Sequence, residues 1–354
     1  MIFNCKASFR MFNLIFYCCQ NYFNPSVSYG WGKSQLQRQG SKAKDQHSRG
    51  LDNLQKQLSK YVSKPLEGDP LWSARSLAKE PEAVIQVHMD YIKAGCDIIE
   101  TNTYQASIPG FMKYLNCTKE ESYELIKKAV LLAKTAIDRA HKEGILQGDT
   151  RPLIAGSVGP YGAYLHDGSE YNGYYTDRTP SEVLKNYHKS KIAALVEAGV
   201  DLLAIETIPS KKEAEIIVEI IKEFPNIKAW LSFSCQTDGK STVYGDNFQE
   251  SAIFCYKLNP NQIIAVGVNC IAPHAVESLL RGINDIPLIV YANSGEKYDP
   301  DLGWDNNCEK LEEYIPSWLN LGVKYIGGCC RVCDNYISKI VDEVRKWEKT
   351  AHDS

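Results

Sequence analysis

Three cysteines set the chemistry this chain can carry. Cys270 closes Gly267-Val268-Asn269-Cys270, and the adjacent pair Cys329-Cys330 sits inside Gly327-Gly328-Cys329-Cys330-Arg331. Adjacent cysteines rarely bond to each other, because a disulfide there strains the peptide between them. Both motifs carry glycines that let the backbone turn, and both follow short apolar runs of strand character. Read as ligands, the three thiolates would hold a zinc ion and leave a fourth position open, as catalytic zinc requires. Sulfur ligands suit a substrate that is itself a sulfur atom to be activated, so the pattern points to thiol chemistry.

Bringing together sulfurs from segments so distant in sequence requires rigid elements between them. Short Ile/Val/Leu/Ala runs, each ended by polar residues or glycine, predict strands at 97–103, 152–157, 201–207, 228–234, 262–269, 287–292 and 324–328. Amphipathic patterns predict helices at 80–94, 118–143, 180–198, 211–224, 247–258, 274–283, 308–321 and 335–352. Continuous apolar strands alternating with helices imply a parallel sheet covered by helices, an α/β fold. Polar residues gather at the C-terminal end of nearly every strand, as in Glu100-Thr101-Asn102-Thr103, Glu206-Thr207 and Asn293-Ser294. That is where a (β/α)8 TIM barrel builds its active site, whereas a doubly wound sheet would concentrate ligand groups at one switch point. The expected fold is therefore a (β/α)8 barrel whose first strand is atypical or missing, with Cys270 ending strand six and Cys329-Cys330 ending strand eight.

The 354 residues, 44% hydrophobic and 23% charged, supply a sizeable core, and a net charge of −3 offers no basic field for nucleic acid or an acidic membrane. Twelve cysteines in a chain this long read as cytosolic thiols rather than a disulfide scaffold; Cys96, Cys235 and Cys255 lie in apolar runs and are expected in the core. The apolar run at 12–19 is too short for a signal peptide or a membrane span and lacks a cleavage site. Small-molecule partners and a cytoplasmic location follow. Residues 28–48 are polar and without apolar period, so the division expected is an N-terminal arm, 1–50, and a barrel domain, 51–350.

Several phrases together resemble one family: Asp69-Pro70-Leu71-Trp72-Ser73-Ala74-Arg75, Asp97-Ile98-Ile99-Glu100-Thr101-Asn102-Thr103-Tyr104-Gln105-Ala106-Ser107, and the two cysteine motifs. The chain from about 66 to 344 is similar to the zinc-dependent homocysteine S-methyltransferases, relatives of betaine-homocysteine methyltransferase. The resemblance implies one zinc ion on Cys270, Cys329 and Cys330, which holds homocysteine as its thiolate, and a direct displacement that takes a methyl group from an onium donor. It assigns no catalytic residue beyond that activation. Glu206, where a strand empties into the barrel mouth, would receive the homocysteine ammonium group, and Asn269 would bond its amino-acid end. Tyr104 or Gln105 would meet the onium methyl group, since aromatic faces and oxygen atoms attract diffuse positive charge. The chain ends soon after its last helix, which suggests a sulfonium donor (S-methylmethionine or S-adenosylmethionine) and a monomer.

The resemblance breaks at the N-terminus. Family members open with a strand ending in Asp-Gly-Gly, which helps hold the homocysteine amino-acid group; here the matching segment is Gly50-Leu51-Asp52-Asn53-Leu54. Asp52 matches the aspartate, and both glycines are absent. The alternative to the enzyme is thus a non-catalytic zinc-binding barrel, a homocysteine or metal sensor or an inactive isoform. The segment 161–175, with Tyr161, Tyr164, Tyr171, Tyr174 and Tyr175, either closes over substrate or forms a surface loop. His166, His188 and His274 lack ligand spacing and are not assigned to zinc.

Overall fold

The alternation read from the sequence becomes eight β/α units: β1 (Phe12–Ile15), α1 (Pro81–Lys93), β2 (Ile98–Glu100), α2 (Lys119–Lys142), β3 (Leu153–Val158), α3 (Ser181–Glu197), β4 (Leu202–Ile208), α4 (Lys211–Ile221), β5 (Ala229–Phe233), α5 (Phe248–Leu258), β6 (Ile263–Asn269), α6 (Pro273–Leu280), β7 (Leu288–Ala292), α7 (Leu311–Asn320), β8 (Val323–Gly328) and α8 (Asp334–His352). The computed structural model describes residues 61–62, 69–296 and 308–352, and the backbone of Phe12–Ile15, Tyr298–Asp299 and Gly303–Trp304. The last two form a small antiparallel ribbon.

The barrel strands pair in parallel in the circular order β1-β8-β7-β6-β5-β4-β3-β2, and the barrel is closed. Its first strand is atypical, as expected: a four-residue run, Phe12–Ile15. Phe12–Ile15 pairs with β8 on one side, Ile15 opposite Gly328, and with β2 on the other, Ile15 opposite Ile99. The strand position was sought near Asp52, and residues 50–60 lie outside the described residues. Four residues inside the expected arm, Phe12, Asn13, Leu14 and Ile15, three of them apolar, close the barrel instead, and closure leaves no sheet edge. The run is too short to stand out before its two neighbouring strands are in place.

Helix starts follow local chemistry. Thr118 and Glu121 form a reciprocal capping box at α2, Thr118 Oγ1 accepting from Glu121 N at 3.1 Å and Glu121 Oε2 from Thr118 N at 2.8 Å. Ser210 and Asn247 cap α4 and α5.

Strand parity sorts the side chains. Ile99, Ile154, Leu203, Ile205, Val266 and Val290 join the layer between strands and helices, together with Cys96, Cys235 and Cys255. Ile98, Ala155, Leu202, Ala204, Trp230, Ala265 and Ile289 fill the barrel interior. Continuing the inward parity towards the strand ends reaches Glu100, Ser157, Glu206, Ser232 and Asn269, all buried. The barrel mouth is therefore lined by polar groups resting on an apolar plug.

Candidate metal centre

The two cysteine motifs meet above that plug. The sulfur atoms of Cys270, Cys329 and Cys330 lie within 4.8 Å of one another, and all three residues are buried. Cys270 Sγ is 3.6 Å from Cys330 Sγ. Cys333, the far end of the Cys-x-x-Cys spacing, instead donates to Asn335 Oδ1 at 3.1 Å. No histidine belongs to a metal-binding group among the described residues; His188 and His274 pair with Glu213 and Glu309, each at 2.8 Å.

Backbone geometry places the sulfurs. Cys270 has φ 53°, a left-handed conformation that turns the chain as β6 ends. Its amide donates to Tyr291 O at 3.1 Å, and the Cys329 amide to Ala292 O at 2.7 Å, so both cysteines are hung from β7. Arg331 also has a left-handed φ of 65°, and its buried guanidinium pairs in two-pronged fashion with Glu296, Nη2 donating to Oε1 at 2.7 Å. Burial works against ionising Glu296, but Arg331 and Ser294 outweigh it and hold the carboxyl below the usual range.

Glu206 is fully buried; Oε1 accepts from the Ser157 hydroxyl and Oε2 has no partner among the described residues. Burial pushes its pKa up to about 8, with Ser157 and Lys191 pulling it down and Cys330 adding to the rise. Lys191, also buried, donates to the Tyr104 carbonyl at 2.9 Å, and burial takes its pKa down to about 7 against the pull of Glu206 and Glu213. Asn269 is engaged within the protein: Oδ1 accepts from Thr207 N and Ser232 Oγ, both at 2.8 Å, and Nδ2 donates to Thr207 Oγ1 at 2.7 Å. It ties the end of β6 to the end of β4, beside Glu206. Tyr104 is buried, and its ring passes Gly159 so closely that a Cβ there would lie 2.5 Å from it. Gln105 Nε2 reaches Ala163 O at 3.5 Å, while its buried Oε1 has no partner among the described residues. Asp52 lies outside the described residues.

Sequence reasoning passed over Glu100. It is buried, neither carboxylate oxygen has a partner among the described residues, and burial, reinforced by Glu206 and Cys329, pushes its pKa well up. Its signal was the inward parity with Ile98 at the head of Glu-Thr-Asn-Thr. A second omission is Glu170; its Oε2, like the hydroxyl of the neighbouring Tyr171, is buried without a partner among the described residues.

Fold and site define a (β/α)8 barrel that brings three thiols able to hold a metal ion together at the C-terminal ends of its strands. The family model described as homocysteine S-methyltransferase matches residues 53–344. The chain is 46% identical over 290 residues to betaine-homocysteine S-methyltransferase of Drosophila melanogaster, covering 78% of this chain and 87% of that one. It is 42% identical over 292 residues to homocysteine S-methyltransferase 1 of Arabidopsis thaliana, covering 78% and 88%. The metallated form of the homocysteine methyltransferase MmuM from Escherichia coli superposes with a TM-score of 0.70 at 34% identity, covering 82% of this chain and 93% of that one. The chain belongs to the homocysteine S-methyltransferase family, and it is a methyltransferase. No helix among the described residues is long and apolar enough to cross a membrane.

Proposed function

We propose that this protein transfers a methyl group from S-methylmethionine or S-adenosylmethionine to L-homocysteine, giving methionine, with one zinc ion held by Cys270, Cys329 and Cys330. The observation that carries the reading is the buried triad, its sulfurs within 4.8 Å of one another. Three thiols converging with no other ligand type suit a soft, tetrahedral ion that accepts a sulfur substrate. When bound, zinc supplies the positive charge that keeps a thiol deprotonated at neutral pH.

The chain's own residues bind and orient. Glu206 Oε2 and the two oxygens of Glu100 are buried acceptors without donors among the described residues, and a substrate ammonium brings three N–H donors and the missing charge. Asn269 positions Glu206 through Thr207, and Tyr104 and Gln105 face the methyl donor. Asp52 is a further candidate for the homocysteine amino group.

The test measures zinc content and methionine formation with S-methylmethionine, S-adenosylmethionine and betaine, before and after chelation. Stoichiometric zinc with chelator-sensitive turnover on a sulfonium donor is the expected result. Zinc without turnover on any donor would leave the non-catalytic barrel as the correct reading; turnover on betaine alone would overturn the donor assignment.

The carboxylates give a separate expectation. Hydrogen bonds to charged groups contribute about 1.5–3 kcal/mol, so Glu206→Gln should raise the KM for homocysteine by roughly 10- to 100-fold, and Glu100→Gln should act in the same direction. Steady-state titration of homocysteine at saturating donor reads this out, and unchanged values in both variants would remove the ammonium role.

A further inference from the structure

The tyrosine-rich segment between β3 and α3 is held over the thiols by pins at both ends. Glu213, fully buried in the first turn of α4, accepts the Tyr161 amide at 2.7 Å, His188 Nε2 at 2.8 Å and the Tyr175 hydroxyl. Lys212 Nζ donates to Thr176 O at 2.7 Å, and Tyr244 OH to Asp177 Oδ1 at 2.7 Å. Between the pins lies the turn Ser169–Tyr171, closed by Tyr171 N to Gly168 O at 3.1 Å and Gly173 N to Ser169 O at 2.7 Å. The segment doubles back so tightly that a Cβ on Gly162 would lie 2.6 Å from Glu170 N.

Two adjacent side chains of that turn are buried and incomplete. Tyr171 packs against the side-chain cluster that contains Cys270, Cys329 and Cys330, and among the described residues its hydroxyl has no hydrogen-bond partner. Glu170 is 8% exposed, and its Oε2 has none either. Each such orphan costs about 1–3 kcal/mol. A pinned turn that places two of them beside a thiol triad is explained by a ligand that completes them. A carboxylate next to an aromatic ring selects a cation.

We infer that Glu170 and Tyr171 form the subsite for the cationic centre of the methyl donor and select donors with a net positive charge. The inference rests on the proposed function. Tyr104, within electrostatic reach of Tyr171, supplies a second ring. S-methylmethionine and S-adenosylmethionine carry one excess positive charge, whereas betaine bears a carboxylate one carbon from its ammonium and is neutral overall, so Glu170 attracts the first two and not the third. Burial, reinforced by Asp167 and opposed by the residue's own amide, pushes the Glu170 carboxyl up to about 8; a bound cation restores the charged form.

The reaction determines which kinetic constant responds. The S–CH3 bond of the sulfonium breaks with its electron pair remaining on the donor sulfur, and a lone pair of the homocysteine thiolate forms the new S–CH3 bond. Cation and thiolate both become neutral thioethers. Glu170 therefore attracts the ground state more than the transition state, so its loss weakens donor binding without slowing the step at saturation.

The experiment compares wild type with Glu170→Gln and Tyr171→Phe, each checked for metal content and circular dichroism. Glu170→Gln is expected to raise the KM for S-methylmethionine about tenfold or more, with kcat and the KM for homocysteine within about twofold; Tyr171→Phe should raise the donor KM less. A donor KM within twofold of wild type in a folded, metal-replete Glu170→Gln overturns the inference while leaving the methyltransferase reading intact. Should no donor turn over, calorimetric binding still decides. Wild type should prefer S-methylmethionine over the neutral-sulfur analogue methionine sulfoxide by about tenfold and Glu170→Gln should not; equal binding of the two by wild type also overturns it.

Discussion

Alanine in place of Cys329 is expected to lower metal affinity at least about 100-fold and to abolish methionine formation. Cys329 is fully buried, its amide is fixed to Ala292 O at 2.7 Å, and its sulfur belongs to the triad. Structural zinc sites with four ligands reach apparent binding free energies of about 10–16 kcal/mol. An even share is about 3 kcal/mol per sulfur, or roughly two powers of ten in affinity. Loss of one thiolate also leaves the site with two protein ligands, too few to orient a substrate sulfur. Metal content after dialysis against a competing chelator, with methionine formation on the same sample, provides the measurement. Cys333→Ala, which removes a thiol engaged with Asn335 outside the triad, should retain metal. A Cys329→Ala protein that keeps stoichiometric metal under the same chelator would show that the three sulfurs do not act as one site.

Gly267→Ala should damage both the barrel and the site. An added Cβ would lie 1.8 Å from the carbonyl oxygen of Ile289 and 2.8 Å from its carbonyl carbon. Gly267 and Ile289 are register partners in β6 and β7, so the obstacle is the neighbouring backbone, and the two strands would have to part. The destabilisation should reach about 3 kcal/mol or more, at or beyond the upper range for overpacking, seen as a fall of several degrees in melting temperature. Metal retention should fall with it, because Asn269 and Cys270 follow on the same strand. Gly328→Ala should be destabilising as well: there a Cβ would meet Val332 Cγ1 at 2.1 Å and Val332 Cβ at 2.6 Å, and Val332 is buried, so rotating its side chain does not remove the clash. Equal melting temperatures for wild type and Gly267→Ala would refute the packing argument.

These two residues show why the motifs read as they do. In Gly-Val-Asn-Cys the glycine admits the β7 backbone, the asparagine ties β6 to β4, and the cysteine turns left-handed to present its sulfur. Asn269 was expected at the amino-acid end of substrate, and its amide is engaged with Thr207 and Ser232. A side-chain amide at a strand end has the same appearance in sequence whether it binds ligand or backbone, and only the neighbouring strand decides.

The sequence by itself determined the alternation of strand and helix from residue 97 onward, the parallel barrel, and the three cysteines, because each rests on local periodicity or on residue types with few competing uses. Glu206 was legible for the same reason, as a charge ending an apolar strand. Only the tertiary structure decided that Phe12–Ile15 completes the barrel, since so short a run, three apolar residues and an asparagine, acquires a role only when β2 and β8 stand on either side. It alone decided that Glu100, Glu170 Oε2 and the Tyr171 hydroxyl are buried without side-chain partners among the described residues, and that Glu213 pins the loop above the thiols. Those properties belong to contacts between segments far apart in the chain, and no period or spacing within a segment encodes whether a polar group will find a partner once the barrel has closed.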